Sequence, residues 1–172
     1  EIALTAALFD RDREAIQLHF GGGTPNFLSP AQLGEVVETL RSHFRFSDAA
    51  DRDISIELDP RFVDAGEIAA LARIGFNRAS FGVQDFDPAV QAAVNRIQSV
   101  EQTRAVVDAC RANGFRSVNV DLIYGLPNQT CEGFARTLDT VAQMRPDRVA
   151  VYGYAHMPHL FKPQKQLDAD LL

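Results

Sequence analysis

Cysteine is scarce in this sequence. Only two occur, Cys110 and Cys131, and neither has a second cysteine or a histidine at metal-ligand spacing. Small secreted domains held by disulfides are rich in cysteine, and this chain does not fit that class. We therefore predict that both residues are free thiols in a reducing compartment, and we assign no metal ligand in the chain.

Long apolar runs and blocks of basic residues are also missing. No apolar run approaches the roughly 18 residues that a membrane-spanning helix needs, and no basic segment followed by an apolar one opens the chain. The net charge is −6 and the pI is about 5.1. This balance argues against nucleic acid or anionic lipid as the partner. We expect a cytoplasmic protein that binds a small molecule, with no nucleic acid and no membrane.

The chain has 172 residues, of which 46% are apolar. That is enough for one ordinary globular core, so we treat residues 1–172 as a single domain. The first residue is glutamate rather than methionine, and a charged segment, Asp10 to Glu14, precedes the first apolar run. We expect the natural protein to begin further upstream.

The most distinctive segment is a run of three glycines, Gly21 to Gly23, followed by Thr24 and Pro25. It follows the apolar run Ile16 to Phe20 and precedes a capping-box pattern, Ser29 to Gln32. This order predicts a strand, a glycine loop and a helix. Without Cβ atoms the loop can take positive φ, and its bare N–H groups suit a phosphate or a carboxylate. Taken alone, the run is equally consistent with a sharp turn.

Apolar and amphipathic segments alternate along the rest of the chain. Strands are expected at residues 16–20, 54–58, 79–83, 118–124 and 148–154, and helices near residues 30–44, 64–74, 88–95, 99–113 and 130–144. Ser99 to Gln102 forms a second capping-box pattern. Such alternation is typical of a parallel sheet with right-handed crossovers. A complete eight-unit barrel takes about 250 residues, so about five βα units indicate a partial barrel or an open doubly wound sheet.

Side chains alternate between apolar and polar along the predicted strands. If helices cover one face, the apolar set should pack beneath them, because burying carboxylates there is costly. That set is Leu18, Ile54, Ile56, Ala79, Phe81, Val83, Val118, Val120, Val149 and Val151. The opposite face then carries Gln17, His19, Ser55, Glu57, Ser80, Gly82, Gln84, Asn119 and Asp121. Self-filled barrel interiors are dominated by Val, Ile and Leu, so this polar face predicts a cavity that holds a large polar ligand.

The chemically distinctive residues fall at one end of the predicted sheet. The glycine loop follows the first strand, Glu57 and Gln84 close the second and third, Asp121 lies on the fourth, and Ala155 and His156 follow the fifth. Ligands of parallel α/β proteins bind at the carboxyl ends of the strands. Each residue alone has a structural explanation, such as a buried ion pair. Two carboxylates converging on one polar cavity would repel each other, however, so together they favour a ligand site.

These groups suit a zwitterion that carries a ribose. Thr24 and the backbone of the glycine loop suit an ammonium or carboxylate group, Arg96 suits a carboxylate, and Glu57 or Asp121 suits ribose hydroxyls. S-adenosylmethionine carries all of these groups. A nucleotide is compatible with the same residues.

A series of short motifs extends over nearly the whole chain. It comprises Gly-Gly-Gly-Thr-Pro at 21–25, Ile-Glu-Leu-Asp-Pro at 56–60, Gly-Val-Gln-Asp-Phe at 82–86, Asn-Arg at 95–96, Asn-Val-Asp-Leu-Ile-Tyr-Gly-Leu-Pro at 119–127 and Tyr-Ala-His-Met-Pro at 154–158. In this order and spacing the series resembles the oxygen-independent coproporphyrinogen III oxidases, a family of radical S-adenosylmethionine enzymes. The resemblance implies the partial (β/α)6 TIM-like barrel of that superfamily, here an incomplete barrel domain over residues 1–172.

The resemblance also implies an activity and its cofactors. The activity is oxidative decarboxylation of two propionate side chains of coproporphyrinogen III to vinyl groups, which gives protoporphyrinogen IX in haem biosynthesis. The cofactors are two S-adenosylmethionine molecules and a 4Fe-4S cluster, with an electron donor and an electron acceptor of unknown identity. The residues that match cofactor contacts of the family are Gly22, Gly23, Thr24, Glu57, Gln84, Arg96, Asp121 and Ala155. None of them is assigned a catalytic role.

One departure from the family pattern is decisive. The family holds its cluster with a CxxxCxxC loop upstream of the glycine loop, and this chain has no such motif. Cys110 and Cys131 do not replace it, because three thiolates are needed. We therefore expect a central segment that lacks the cluster loop and the C-terminal domain, that is inactive by itself, and that can self-associate through open sheet edges. The full-length protein is expected to be a monomer.

Two alternatives stay open. A haem-binding carrier related to this family shares the Gly-Gly-Gly-Thr-Pro and Gly-Leu-Pro segments and would have no oxidase activity. A phosphate-binding barrel enzyme such as an aldolase would need a lysine or a histidine at a strand end, and the only lysines are Lys162 and Lys165 in the tail. Three features favour the oxidase over the carrier: Asp85 after Gln84, Asn95 before Arg96, and the segment Tyr154-Ala155-His156.

Overall fold

The computed structural model describes residues 1–10, 12–49, 51–160 and residue 164. Lys162 and Lys165 lie outside the described residues. In chain order the elements are α1 (Ile2–Ala6), β1 (Glu14–Ala15), β2 (Gln17–Phe20), a 3₁₀ turn (Pro25–Phe27), α2 (Pro30–His43), β3 (Arg45–Phe46), β4 (Asp53–Leu58), a second 3₁₀ turn (Pro60–Phe62), α3 (Ala65–Ile74), β5 (Arg78–Gln84), α4 (Pro88–Ala93), α5 (Val100–Ala112), β6 (Ser117–Tyr124), α6 (Cys131–Met144) and β7 (Arg148–Gly153). Within the described ranges, the helices are too short or too polar for any of them to cross a bilayer.

The five predicted strands form one parallel sheet in the order β2-β4-β5-β6-β7. At least one helix lies between each pair of neighbours along the chain, as the alternation predicts. Strands β1 and β3 form a separate parallel pair. The sequence analysis missed them because strands of two residues are too short to show a two-residue period.

The helices form a single layer over this sheet. Helix α2 packs on α3, α3 packs on α5, and α5 packs on α6. A doubly wound sheet would have helices on both faces. In the part of the chain that the structure describes, strands β2 and β7 are not joined to each other, so the sheet is an incomplete barrel. The prediction of a partial TIM-like barrel is confirmed, and the doubly wound alternative is wrong.

Side-chain caps fix where two of the helices begin. Helix α2 starts at the predicted capping box, in which Ser29 accepts a hydrogen bond from the N–H of Gln32 and Gln32 accepts one from the N–H of Ser29. At α5 the predicted box is only half formed. Ser99 accepts a bond from the N–H of Gln102, but the Gln102 amide turns away and donates to the carbonyl of Arg61. That contact ties α5 to the segment that follows β4.

The predicted apolar face of the sheet is the core. The buried strand residues on this face are Ile54, Ile56, Ala79, Phe81, Val83, Val118 and Val120, with Leu18 partly buried beside them. The helices contribute Leu33, Val37, Ile68, Leu71, Val106, Val107 and Cys110. Full burial of one such aliphatic side chain is worth about 1.5–3 kcal/mol. This layer therefore holds the strands, and with them the polar side chains on the opposite face, in place.

The prediction was wrong for Val149 and Val151 on β7. Their exposed fractions are 45% and 49%. Helix α6 packs over β5 and β6, where Val141 joins Val83 and Val120, and no described helix lies over β7. Alternation along a strand shows which residues share a face, but it does not show whether a helix covers that face.

Replacing Ile56 by alanine is expected to lower the free energy of unfolding by about 2–5 kcal/mol, because this fully buried side chain leaves a cavity. Ile97→Ala is the matched control, since Ile97 is 71% exposed and its loss should change the free energy by about 0.5 kcal/mol at most. Urea unfolding followed by circular dichroism measures both. Equal effects of the two substitutions would contradict the core described above.

Candidate functional site

Two adjoining cavities lie on the polar side of the sheet. The upper cavity, at the carboxyl ends of the strands, has a volume of about 170 Å³. Its lining residues are Gly23, Thr24, Pro25, Glu57, Leu58, Asp59, Gly82, Gln84, Arg96 and Asp121. Six residues of the predicted cofactor-binding set are among them: Gly23, Thr24, Glu57, Gln84, Arg96 and Asp121. The fold brings them together from the ends of four strands and from the loop after α4.

The lower cavity has a volume of about 410 Å³ and extends along the inner face of the sheet toward the amino ends of the strands. It is lined mainly by polar strand residues: Gln17, His19, Asp53, Ser55, Glu57, Arg78, Ser80, Ser117, Asn119, Asp121, Arg148 and Tyr152. Glu57 and Asp121 border both cavities. The prediction of a polar cavity on this face is confirmed.

The glycine loop passes close to the carboxylate of Glu57. A Cβ atom on Gly21 would lie 2.6 Å from His19 Nε2 and 3.1 Å from the carboxyl carbon of Glu57, so a larger residue would displace these two side chains. Gly22 has a φ of 96°, in the left-handed region that favours glycine. A Cβ atom on Gly23 would meet no protein atom within 4 Å. Since Gly23 also lines the upper cavity, its backbone is open to a ligand.

Two residues of the predicted set line neither cavity. Gly22 shapes the loop through its backbone conformation. Ala155 lies beyond β7, where its carbonyl accepts a hydrogen bond of 3.1 Å from Gln164 Nε2. The structure therefore gives Gly22 a conformational role, and it does not bring Ala155 to the other predicted residues.

Asn26 fixes the loop after β2 to the end of β4. Its amide donates to the carbonyls of Asp59 and Phe62 at 3.1 Å each, and its Oδ1 accepts from the N–H of Asp59 at 3.0 Å. These bonds hold Thr24 and Asp59 on the same rim of the upper cavity. The sequence analysis missed Asn26, although an asparagine beside a proline just after a glycine run is a typical turn residue that bonds to backbone.

Asp59 is the electrostatic centre of this rim. Its carboxylate lies 2.7 Å from Arg61 Nη2 and 3.3 Å from Arg96 Nη2, and Asp59 is 5% exposed. Burial by itself raises the pKa of a carboxyl group, but hydrogen bonds from Arg61 and the charges of both arginines hold the pKa of Asp59 below its ordinary value. The sequence analysis included Asp59 only as part of the motif at residues 56–60 and gave it no role. An arginine two positions later was the available signal.

Arg96 is held at the cavity by backbone as well as by charge. Its Nε and Nη2 donate to the carbonyl of Gly82 at 3.3 and 2.8 Å. A Cβ atom on Gly82 would lie 2.9 Å from Arg96 Nη2 and 2.9 Å from Gln84 Nε2, so the missing side chain makes room for both groups. Burial lowers the pKa of Arg96, an effect that Asp59 opposes. The guanidinium stays cationic because its ordinary pKa is far above neutrality.

Glu57 faces a histidine rather than an arginine. Its Oε1 lies 3.2 Å from His19 Nε2, and His19 Nδ1 lies 2.8 Å from Ser55 Oγ. The side chains of His19 and Glu57 are 57% and 44% exposed. Among the described residues, the other oxygen of Glu57 has no protein partner. It can therefore accept a hydrogen bond from a ligand.

Asp121 accepts two short hydrogen bonds on the inner face. Ser80 Oγ donates to Oδ2 at 2.7 Å, and Asn119 Nδ2 donates to Oδ1 at 2.7 Å. No cationic side chain of the described residues pairs with Asp121. A buried ion pair therefore does not explain this carboxylate. Its remaining lone pairs suit the hydroxyl groups of a ligand.

The two cysteines line neither of these cavities. Cys110 is buried in the core, and burial raises the pKa of its thiol to about 12 although Arg111 opposes the shift. Cys131 is exposed at the start of α6. Within the described ranges, no group of three or more His, Cys, Asp or Glu side chains is arranged to hold a metal ion. Neither thiol therefore fits as a ligand of an iron–sulfur cluster at the cavities.

Comparison with known proteins gives a family and a set of close relatives. The profile of the Radical SAM superfamily matches residues 1–141. The chain is 51% identical to the oxygen-independent coproporphyrinogen III oxidase of Pseudomonas aeruginosa and 49% identical to that of Escherichia coli, in each case over 99% of this chain and 37% of the relative. The chain thus spans little more than a third of the length of the curated relatives it matches.

Solved structures agree with this assignment. The structure of coproporphyrinogen III oxidase from Escherichia coli, described as a radical SAM enzyme, superposes with a TM-score of 0.94 at 47% identity, over 99% of this chain and 39% of that one. A radical S-adenosylmethionine methyltransferase from Kitasatospora setae superposes with a TM-score of 0.67 at 16% identity, over 83% of this chain and 28% of that one. This second likeness shows the fold alone.

Replacing Asp59 by asparagine is expected to flatten the acid side of the stability profile. When unfolded, Asp59 has its ordinary pKa of 3.8, and in the folded state its pKa is lower. Ionised Asp59 therefore contributes stability that is full above that value and is lost as the pH falls through the lower, folded-state pKa. The variant should be less stable than the native protein at neutral pH by about 1–3 kcal/mol, since both arginines are partly exposed.

Urea unfolding at a series of pH values, from about 6 down to about 2, measures this effect. The difference between native protein and Asp59→Asn should shrink as the pH falls below about 4. Asp108→Asn, which removes a surface carboxylate paired with Arg111, is the control. A difference that stays constant over the whole range would contradict the ion cluster described here.

Proposed function

The chain belongs to the Radical SAM superfamily, and from this premise we propose that it forms the S-adenosylmethionine-binding part of an oxygen-independent coproporphyrinogen III oxidase. The observation that carries the proposal is the convergence of Glu57, Arg96 and Asp121 with the open backbone of Gly23 around one cavity at the strand ends. The high identity to oxidases from two bacteria supports the choice of activity.

The upper cavity fits the groups of S-adenosylmethionine. Contacts with Asp59 and Gly82 use Nε and Nη2 of Arg96, and Nη1 has no partner among the described residues, so it is available to a carboxylate. Glu57 and Asp121 offer acceptors for the two ribose hydroxyls. The space over Gly23, which a Cβ atom would occupy, is free for the ligand. A polar zwitterion with a ribose therefore matches the donors and acceptors present.

The proposed reaction converts each of two propionate side chains into a vinyl group. One side chain, –CH2–CH2–COO⁻, gives –CH=CH2, carbon dioxide, one hydrogen atom and one electron. When bound together with a reduced 4Fe-4S cluster, S-adenosylmethionine supplies hydrogen-atom abstraction. The residues of this chain bind and orient the cofactor and keep water away from it. The electron passes to an acceptor that this proposal leaves unnamed.

Neither thiol of this chain is placed to bind the cluster. Cys110 is buried and Cys131 is exposed on the helical side of the sheet. The proposal therefore assigns no cluster ligand to residues 1–172. The proposal also includes a porphyrinogen substrate, a cytoplasmic location and a monomeric state for the natural protein.

Substitution of the two shared carboxylates tests the proposed function. In the natural protein that contains this chain, Glu57→Gln and Asp121→Asn are each expected to lower the rate of vinyl formation by about ten- to a hundredfold, because each replaces one carboxylate oxygen acceptor by an amide donor. Glu38→Gln is the matched control, since Glu38 lies on the exposed side of α2 and pairs with Arg41.

The assay supplies coproporphyrinogen III, S-adenosylmethionine and a low-potential reductant without oxygen, and it measures protoporphyrin by chromatography after oxidation. Formation of protoporphyrin that depends on Glu57 and Asp121 supports the proposal. If no vinyl product forms while haem binds tightly, the chain belongs to a carrier instead. If product forms at the same rate in all three variants, the cavity is not the site.

Loss of either cysteine should leave the cluster intact. We expect Cys131→Ser and Cys110→Ala, in the natural protein, to keep the iron content and the visible absorption of the reconstituted cluster unchanged, because neither thiol lies at the cavities. Iron analysis and absorption spectra before and after substitution measure this. Loss of about a quarter or more of the iron in either variant would contradict the assignment, since each ligand of a cubane cluster holds one of four irons.

A further inference from the structure

Gln84 has an unusual backbone conformation for a residue with a side chain. Its φ is 70°. The N–H of Asp85 donates to the carbonyl of Val83 at 2.9 Å, so Gln84 is the central residue of a γ-turn with positive φ. Turns of this hand are rare and strained. Strained backbone persists only where the surrounding structure holds it, and such residues cluster at functional sites.

The turn directs the Gln84 amide to the upper cavity. The pairing of β5 with β6 shifts register between Gly82 and Gln84, so that Gln84 aligns with Leu122. Despite this bulge, Gln84 lines the upper cavity together with Arg96. Its Nε2 lies 2.9 Å from the position that a Cβ atom on Gly82 would take, beside Arg96. Val83, the residue before Gln84, is buried in the core together with Leu122, so the alternation of faces along β5 continues through the shifted register.

Asp85, the next residue, is a buried carboxylate held by neutral donors. It is 1% exposed. Thr137 Oγ1 donates to Oδ1 at 2.6 Å, Gln129 Nε2 donates to Oδ2 at 2.6 Å, and the N–H of Asp87 donates to Oδ1 at 2.8 Å. No cationic side chain of the described residues pairs with it. A carboxylate is costly to bury, so all three bonds are needed to compensate.

Buried amides hold the backbone on both sides of the turn. Gln98 Nε2 donates to the carbonyl of Val83, and Gln91 Nε2 donates to the carbonyl of Asp85 at 2.9 Å. The Gln91 side chain also holds the backbone of Gln98, because its Nε2 donates to the Gln98 carbonyl and its Oε1 accepts from the Gln98 N–H. The turn is thus fixed through the backbone by this glutamine pair and through the Asp85 side chain by helix α6 and the segment after β6.

We propose that Asp85 is a positioning residue that holds Gln84 in its strained turn, so that the Gln84 amide faces the S-adenosylmethionine in the upper cavity. The proposal rests on the proposed function only in taking that cavity as the cofactor site. Asp85 does not touch the cofactor. Its effect on cofactor affinity must therefore depend on the Gln84 side chain, whereas a purely structural role would not.

A double-mutant cycle tests this dependence. Binding of S-adenosylmethionine to the natural protein is measured by equilibrium dialysis, without oxygen or reductant, for Asp85→Asn, for Gln84→Gly and for the double variant. We expect Asp85→Asn to raise the Kd about tenfold, which is the low end of the loss caused by removing the partner that orients a metal-ligating residue. In the Gln84→Gly background, where glycine takes positive φ without strain and no amide remains, Asp85→Asn should leave the Kd within about twofold.

Helix α6 offers a second pair of variants in case Asp85→Asn does not fold. Thr137→Val removes the hydroxyl that bonds to Asp85 and keeps the shape, so it should raise the Kd, while Thr137→Ser should restore the native value. Asp64→Ala is the matched control. It removes the side-chain cap of α3, which lies outside the upper cavity and makes no bond to Asp85, so it should lower the melting temperature and leave the Kd unchanged.

Three results would overturn the proposal. Equal loss of affinity from Asp85→Asn with and without the Gln84 side chain would show a general effect on the fold. A similar rise in Kd for Asp64→Ala would show the same. If the native protein itself does not bind S-adenosylmethionine, the proposed function fails and this inference fails with it, whereas native binding with additive variants overturns the inference alone.

Discussion

Helices cover one face of the five-stranded sheet, and the polar strand residues of the site lie on the other. The rest of the structure depends on this one-sided cover. It puts the apolar half of each strand under the helices, where burial stabilises the fold. It also leaves the inner half free of any packing requirement, so Ser55, Glu57 and Asp121 can serve a ligand. Because parallel strands end at the same edge, their loops meet at one rim.

Much of this arrangement was accessible from the sequence. The two-residue period of a strand is a property of the backbone, so alternation at Ile54 to Leu58 assigned Glu57 to the polar face without knowledge of any contact. The glycine run predicted an open loop, because this prediction depends only on backbone conformation and on the missing Cβ atoms. It also needed no knowledge of contacts. The motif series added the superfamily, and the family profile agrees with it.

What the sequence did not predict depends on contacts between distant segments. Val149 is exposed because α6 packs over β5 and β6. The alternation pattern of a strand does not show where a helix packs. The bonds from Asn26 to Asp59, and from Asp59 to Arg96, join segments more than thirty positions apart. Gln84 was assigned to the cavity by simple alternation, which holds along β5, but the register shift beside it and its positive φ were not predicted.

Glu57 and Asp121 are walls of both cavities at once, and this has a thermodynamic consequence. An occupant of one cavity that donates a hydrogen bond to either carboxylate changes what that carboxylate can accept from an occupant of the other. The two binding equilibria are therefore linked, and the coupling free energy is the same in whichever order the cavities fill. The affinity of the lower cavity for its occupant thus depends on whether the upper cavity is occupied.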